Sequence, residues 1–92
     1  MPTAAEYVKD RPGISAMLLQ VVENQLSTNQ PPESKETLER LTAEGFSVED
    51  AKLLLAQVIR LEMLNVLKEN KPFNEERFLG HLQGLPQLPE EP

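Results

Sequence analysis

The stretch SVEDAKLLLAQVIRLEMLNVLKEN, residues 47–70, decides the fold of this chain. On a helical wheel at about 100° per residue, Val48, Leu55, Ala56, Ile59, Met63, Val66 and Leu67 cover one broad face, broken by Lys52 near its start. Ala51, Leu54, Val58 and Leu61 fall elsewhere on the wheel, as do Leu53 and Leu64. A surface helix shows a single apolar stripe roughly 100° wide. This one is apolar over much of its circumference and has to be surrounded, by the rest of the chain or by a second copy. Its ends are marked. The Ser47 hydroxyl is placed to accept an orphan backbone N–H, and Asp50 three residues on resembles a capping box. Lys68 suits the negative end of the dipole, and Asn70-Lys71-Pro72 stops the helix.

Outward from this helix, proline punctuates the chain at positions 2, 12, 31, 32, 72, 86, 89 and 92. Proline removes a helical hydrogen bond and clashes with the preceding turn, so these positions are boundaries. A first helix is predicted from about Ile14 to Ser27, with Ile14, Met17, Leu18, Val21, Val22 and Leu26 along one face. A second is predicted from Glu33 to Glu44. Pro32 lies in its first turn, Gly45 caps its end, and only Leu38 and Leu41 form a stripe. A fourth runs from Glu75 to Gln83 after a cap at Asn74, carrying Phe78, Leu79 and Leu82. No segment alternates as a strand does. The expected fold is all-α: a four-helix bundle-like domain over residues 14–85 with a long, central third helix. Residues 1–13 are weakly patterned, with a helical turn or two between Ala4 and Lys9. Residues 86–92 are read as an extended, Pro-rich tail, with Leu85 and Leu88 anchoring its start and residues 87–92 otherwise expected to be mobile and free of core contacts.

Composition excludes several functions. Ninety-two residues make one domain, and a domain this small is marginal by surface-to-volume scaling. With no cysteine there is no disulfide framework, thiolate metal site or cysteine nucleophile. One histidine is too few for a site needing two imidazoles. The net charge of −6 opposes binding to phosphate backbones, so no nucleic-acid partner is expected. No apolar run approaches the roughly 18 residues of a membrane span, and the opening residues have no signal-peptide pattern. A cytoplasmic protein without metal or cofactor is the expectation.

Few side chains suggest chemistry. Gln25 lies in the apolar face of the first helix beside Glu23 and Asn24, and a buried amide there needs partners. Glu62 sits at the edge of the apolar face of the third helix. Burial would raise its pKa toward acid–base use, but pairing with Arg40 or Arg60 is the simpler expectation. Glu23, Gln25, Arg40 and Glu62 together form the candidate polar cluster. His81 is expected on the surface. Glu49-Asp50 and Glu75-Glu76 sit in first helical turns, where the dipole accounts for them. The glycines are scattered, so there is no phosphate loop.

Two sets of residues resemble known patterns. Val22-Glu23-Asn24-Gln25-Leu26, Pro31-Pro32-Glu33, Thr37-Leu38-Glu39-Arg40-Leu41 with Gly45-Phe46, then Glu62 to Leu67, Lys71-Pro72-Phe73 and Leu85-Pro86 resemble a small bacterial family of uncharacterised all-helical proteins, over about residues 15–86. The resemblance implies a fold and no activity. Members of that family carry a His-Glu pair in the first helix and histidines at the start of the third. Here those places hold Leu19-Gln20 and Glu49-Asp50, with Leu53 further on, so a role for those histidines does not transfer. Gly45-Phe46 followed by Ala51 and Leu54-Leu55 also looks like the Gly-Phe loop of ubiquitin-associated domains, a pattern many helix–helix corners share.

Taken together, the residues favour a non-enzymatic interaction or structural domain, a homodimer pairing through Leu53, Leu61 and Leu64. A small-ligand or metal-dependent enzyme with a polar cleft at Glu23, Gln25 and Glu62 is one alternative. An adaptor docking through the tail Leu85-Pro86-Gln87-Leu88-Pro89 is the other.

Overall fold

The computed structural model describes residues 1–92 and is all-helical. Five helices follow in order: α1 (Ala5–Val8), α2 (Ala16–Thr28), α3 (Pro32–Ala43), α4 (Val48–Glu69) and α5 (Glu75–Gly84). The radius of gyration is 12.3 Å, the size of a close-packed chain of this length.

Capping chemistry sets the starts of three helices. Ser15 Oγ accepts from the Leu18 N–H at 3.3 Å, Ser47 Oγ from Asp50 at 3.1 Å and Asn74 Oδ1 from Arg77 at 2.9 Å. Helices α2 and α4 end on Asn29 and Asn70 in the left-handed conformation, with φ of 56° and 54°. The α3–α4 corner needs glycine. Gly45 has φ +109°, and a Cβ there would lie 3.1 Å from Pro2 Cδ.

Helix α4 is the axis, packed against α2, α3 and α5, while α3 also touches α2 and α5. From Leu54 to Ile59 every residue is buried, and Leu61 and Glu62 are buried too. The all-round apolar pattern is therefore met by encirclement within one chain over the first two-thirds of α4. Val22, Leu41, Phe46, Phe78, Leu82 and Leu85 supply the enclosing side chains. The inner face of α3 carries Ser34 and Thr37 beside Leu41, in keeping with its thin apolar stripe.

Residues 1–13 pack across the α3–α4 corner. Ala4 is buried, its N–H donates to Asp50 Oδ2 at 3.2 Å, and the Tyr7 and Phe46 rings lie 5.9 Å apart. Asp50 thus binds the N-terminal segment, and only the Ser47 half of the expected capping box forms. The expected anchors Leu85 and Leu88 are in place, and the expectation that the rest of the tail makes no contacts is corrected. Leu88 packs against the core, and the Pro89 carbonyl and Glu91 carboxylate meet arginines from distant parts of the chain.

Candidate functional site

The residues of the expected polar cluster do not converge. Glu23 pairs with Lys52 on the surface between α2 and α4. Gln25 Oε1 accepts from Ser34 Oγ at 2.8 Å, which ties α2 to α3. Arg40 donates to the Leu82 and Leu85 carbonyls at 3.1 and 2.9 Å and pairs with Glu44. It thereby satisfies the carboxyl end of α5.

Glu62 is fully buried on α4 and pairs with neither Arg40 nor Arg60. Its oxygens accept from Arg77 Nε at 2.9 Å and Nη2 at 2.7 Å, and from the Asn74 N–H at 3.1 Å. Hydrogen bonding from Arg77 holds its carboxyl below the ordinary value against the opposing effect of burial, with the Asn74 N–H and the charges of Arg77 and His81 adding to it. Arg77 is held above its ordinary value, first by Glu62 and then by Glu69. A carboxylate fixed in its charged form by a forked guanidinium is a structural tie between α4 and α5, poorly suited to proton transfer. His81 is half-buried on α5, and its Nδ1 is enclosed without a hydrogen-bond partner, which corrects its expected surface position. No three of the His, Asp and Glu side chains gather as a metal-holding group, and no helix is long and apolar enough to cross a membrane.

The expected self-association surface also changes. Leu61 is 1% exposed, because its side of α4 faces into the bundle, and Leu53 is half-buried. Only Leu64, 36% exposed, lies open. Apart from Met1 and Val48, the exposed large apolar side chains lie on the last two turns of α4, the first turn of α2 and the loop before α5. Met17 and Leu67 are each 77% exposed, Phe73 53% and Met63 51%. These side chains are contiguous. One groove of about 280 Å³ is lined by Met17, Leu18, Val21, Met63, Leu64 and Leu67, with Ser15 and Arg60 at its edge. A second of about 280 Å³ continues from Met63 and Leu67 to Val66 and Phe73.

Beside the first groove lies a polar clamp that no local pattern announces. The Gln57 amide, buried among apolar residues, donates to the Pro12 carbonyl at 2.8 Å and accepts from Arg60 Nε at 2.9 Å. Arg60 Nη2 reaches Glu91 Oε1 at 2.7 Å. Arg11 reaches Glu91 Oε2 at 3.4 Å and the Pro89 carbonyl at 2.7 Å. One carboxylate of the tail thus bridges two arginines whose side chains are 15% and 13% exposed.

The uncovered face was readable in part. A helix of 22 residues spans about 33 Å, while neighbours of 10 to 13 residues span about 15–20 Å, so one end of it has to overhang. The Glu62–Arg77 pair and the bridging of Arg11 and Arg60 by Glu91 had no such signal, since these partners lie 15, 80 and 31 residues apart in sequence. Compared with known proteins, the chain matches no family model, no curated protein and no solved structure.

Proposed function

We propose that this chain is a non-enzymatic helical interaction domain, with α2–α5 acting as a four-helix bundle-like unit that pairs with a second copy of itself in the cytoplasm. The observation that carries the reading is the contiguous apolar face formed by Met17, Met63, Leu64, Leu67 and Phe73. At these exposures the five side chains leave on the order of 500 Å² of apolar surface in water, at the upper end for a soluble monomer. A twofold pairing would bury about 1,000 Å² in total, counting both copies, the apolar centre of a small interface.

Charge supports a second copy as the occupant. The chain carries −6 overall, so most of its surface repels itself. The residues lining the two grooves include no acid, and their single charge, Arg60, is already paired. Two copies meet there without setting carboxylate against carboxylate. The absence of convergent acid, base or nucleophile favours this reading over the enzyme alternative.

The test is light scattering on wild type and on Leu67→Glu. Leu67 makes no core contact, so the variant keeps its helicity and melting temperature. Burying that carboxylate unpaired at a twofold interface should weaken the dimer at least tenfold, about 1.4 kcal/mol. A variant that associates as wild type does removes this face from the account.

A further inference from the structure

We propose that the Arg11–Arg60 clamp is a binding site for an extended, proline-containing acidic peptide, and that the segment Leu88–Glu91 of a second copy fills it in trans. The proposal extends the self-association reading, since it concerns the same edge of the molecule.

Half of the site is built without its ligand: Arg60 is held from within the bundle, whereas both hydrogen bonds of Arg11 go to the tail itself. Arg60 is oriented by Gln57, and Gln57 is held by the Pro12 carbonyl beside Arg11. Neither arginine has another carboxylate partner. Without Glu91, two guanidiniums would stand on either side of an empty position. Their mutual repulsion and unused donors both favour an anion there. The chemistry of that anion is on display in the tail. Leu88 supplies an apolar anchor, the Pro89 carbonyl accepts from Arg11, and Glu91 reaches both arginines. The spacing from anchor to carboxylate is three residues in an extended chain.

A second copy offers this same segment. Arg60 lines both the clamp and the apolar groove, so pairing two grooves brings each clamp to the edge of the other molecule. The turn at residues 85–87 would have to open for exchange, and the six residues beyond the buried Leu85 would then span about 20 Å, enough to cross such an edge. Exchange replaces each contact by an identical one. The attached tail holds the site in cis only through an effective concentration of about millimolar order.

The experiment pairs two complementary full chains. Glu91→Gln, labelled with ¹⁵N-arginine and ¹³C-methyl methionine, keeps an intact clamp and lacks the carboxylate. Unlabelled Arg60→Gln keeps an intact tail and lacks the clamp. Mixing them should shift the Arg60 Nε–Hε resonance of the labelled chain saturably, with half the change below about 1 mM. Adding Glu91→Gln to the unlabelled partner should abolish the part of the shift that the tail causes, and an equal shift without that carboxylate would assign it to groove pairing, since Arg60 also lines the groove, and would overturn the proposal. If Arg60→Gln fails to fold, Arg11→Gln replaces it as tail donor. An Arg60 resonance unmoved at millimolar partner overturns the proposal. If the Met17 and Met63 methyls move while Arg60 does not, the grooves pair and the tail exchange is wrong. If Arg60 moves alone, the exchange stands and the groove reading falls.

Discussion

Glu62 is enclosed by apolar neighbours and is still held in its charged form, because Arg77 and the Asn74 N–H supply three hydrogen bonds to its two oxygens. A carboxyl with a depressed folded-state value stabilises the protein above its ordinary value near 4.5. That contribution is lost as pH falls through the lower folded value. Glu62→Gln should therefore cost about 1–2 kcal/mol at neutral pH. Its deficit should shrink as the solution is acidified below pH 4.5, toward full protonation of the wild-type carboxyl. Urea denaturation of both proteins at pH 7 and pH 3 checks this, and a deficit that grew on acidification would contradict the assignment. The position of Glu62 at the edge of an apolar face was legible in the sequence. Its partner was not, because Arg77 arrives from the next helix after a loop, and nothing local to residue 62 distinguishes it from Arg40 or Arg60.

At the scale of elements, two leucines on α4 make opposite statements. Leu61 faces the bundle and is fully enclosed, whereas Leu64, three residues on, lies at the groove. Leu61→Glu should unfold the chain, since an unpaired charge would enter the core. Leu64→Glu should keep native helicity and a melting temperature within a few degrees of wild type. Circular dichroism melts of the two variants separate these outcomes, and similar behaviour of both would mean that α4 is rotated from this packing. The four longer helices and the caps at Ser47 and Asn74 were readable because periodicity and capping are local. The wheel gave no way to rank the sides of α4, because apolar residues occupied nearly all of them. Which side stayed open depended on where the shorter α2 and α5 ended. The second half of the Ser47–Asp50 box failed for a related reason. Ala4, from 46 residues away, offers the N–H that Asp50 takes.

For the whole molecule, the two ends of the chain and the middle of α4 meet in one network: Pro12, Gln57, Arg60, Glu91 and Arg11. Proline content made the tail legible as non-helical and hid its docking, since that depends on arginines far away in sequence. The network and the open face adjoin through Arg60, which is why self-association and tail position are linked in this account. On the proposed reading, the exposed face of Met17, Met63, Leu64, Leu67 and Phe73 pairs two copies of the chain. Sedimentation equilibrium of the wild type from low to high micromolar concentration tests it most directly. The mass should rise from that of the 10.4 kDa chain toward twice that value and level there. A single-chain mass across the whole range would contradict it.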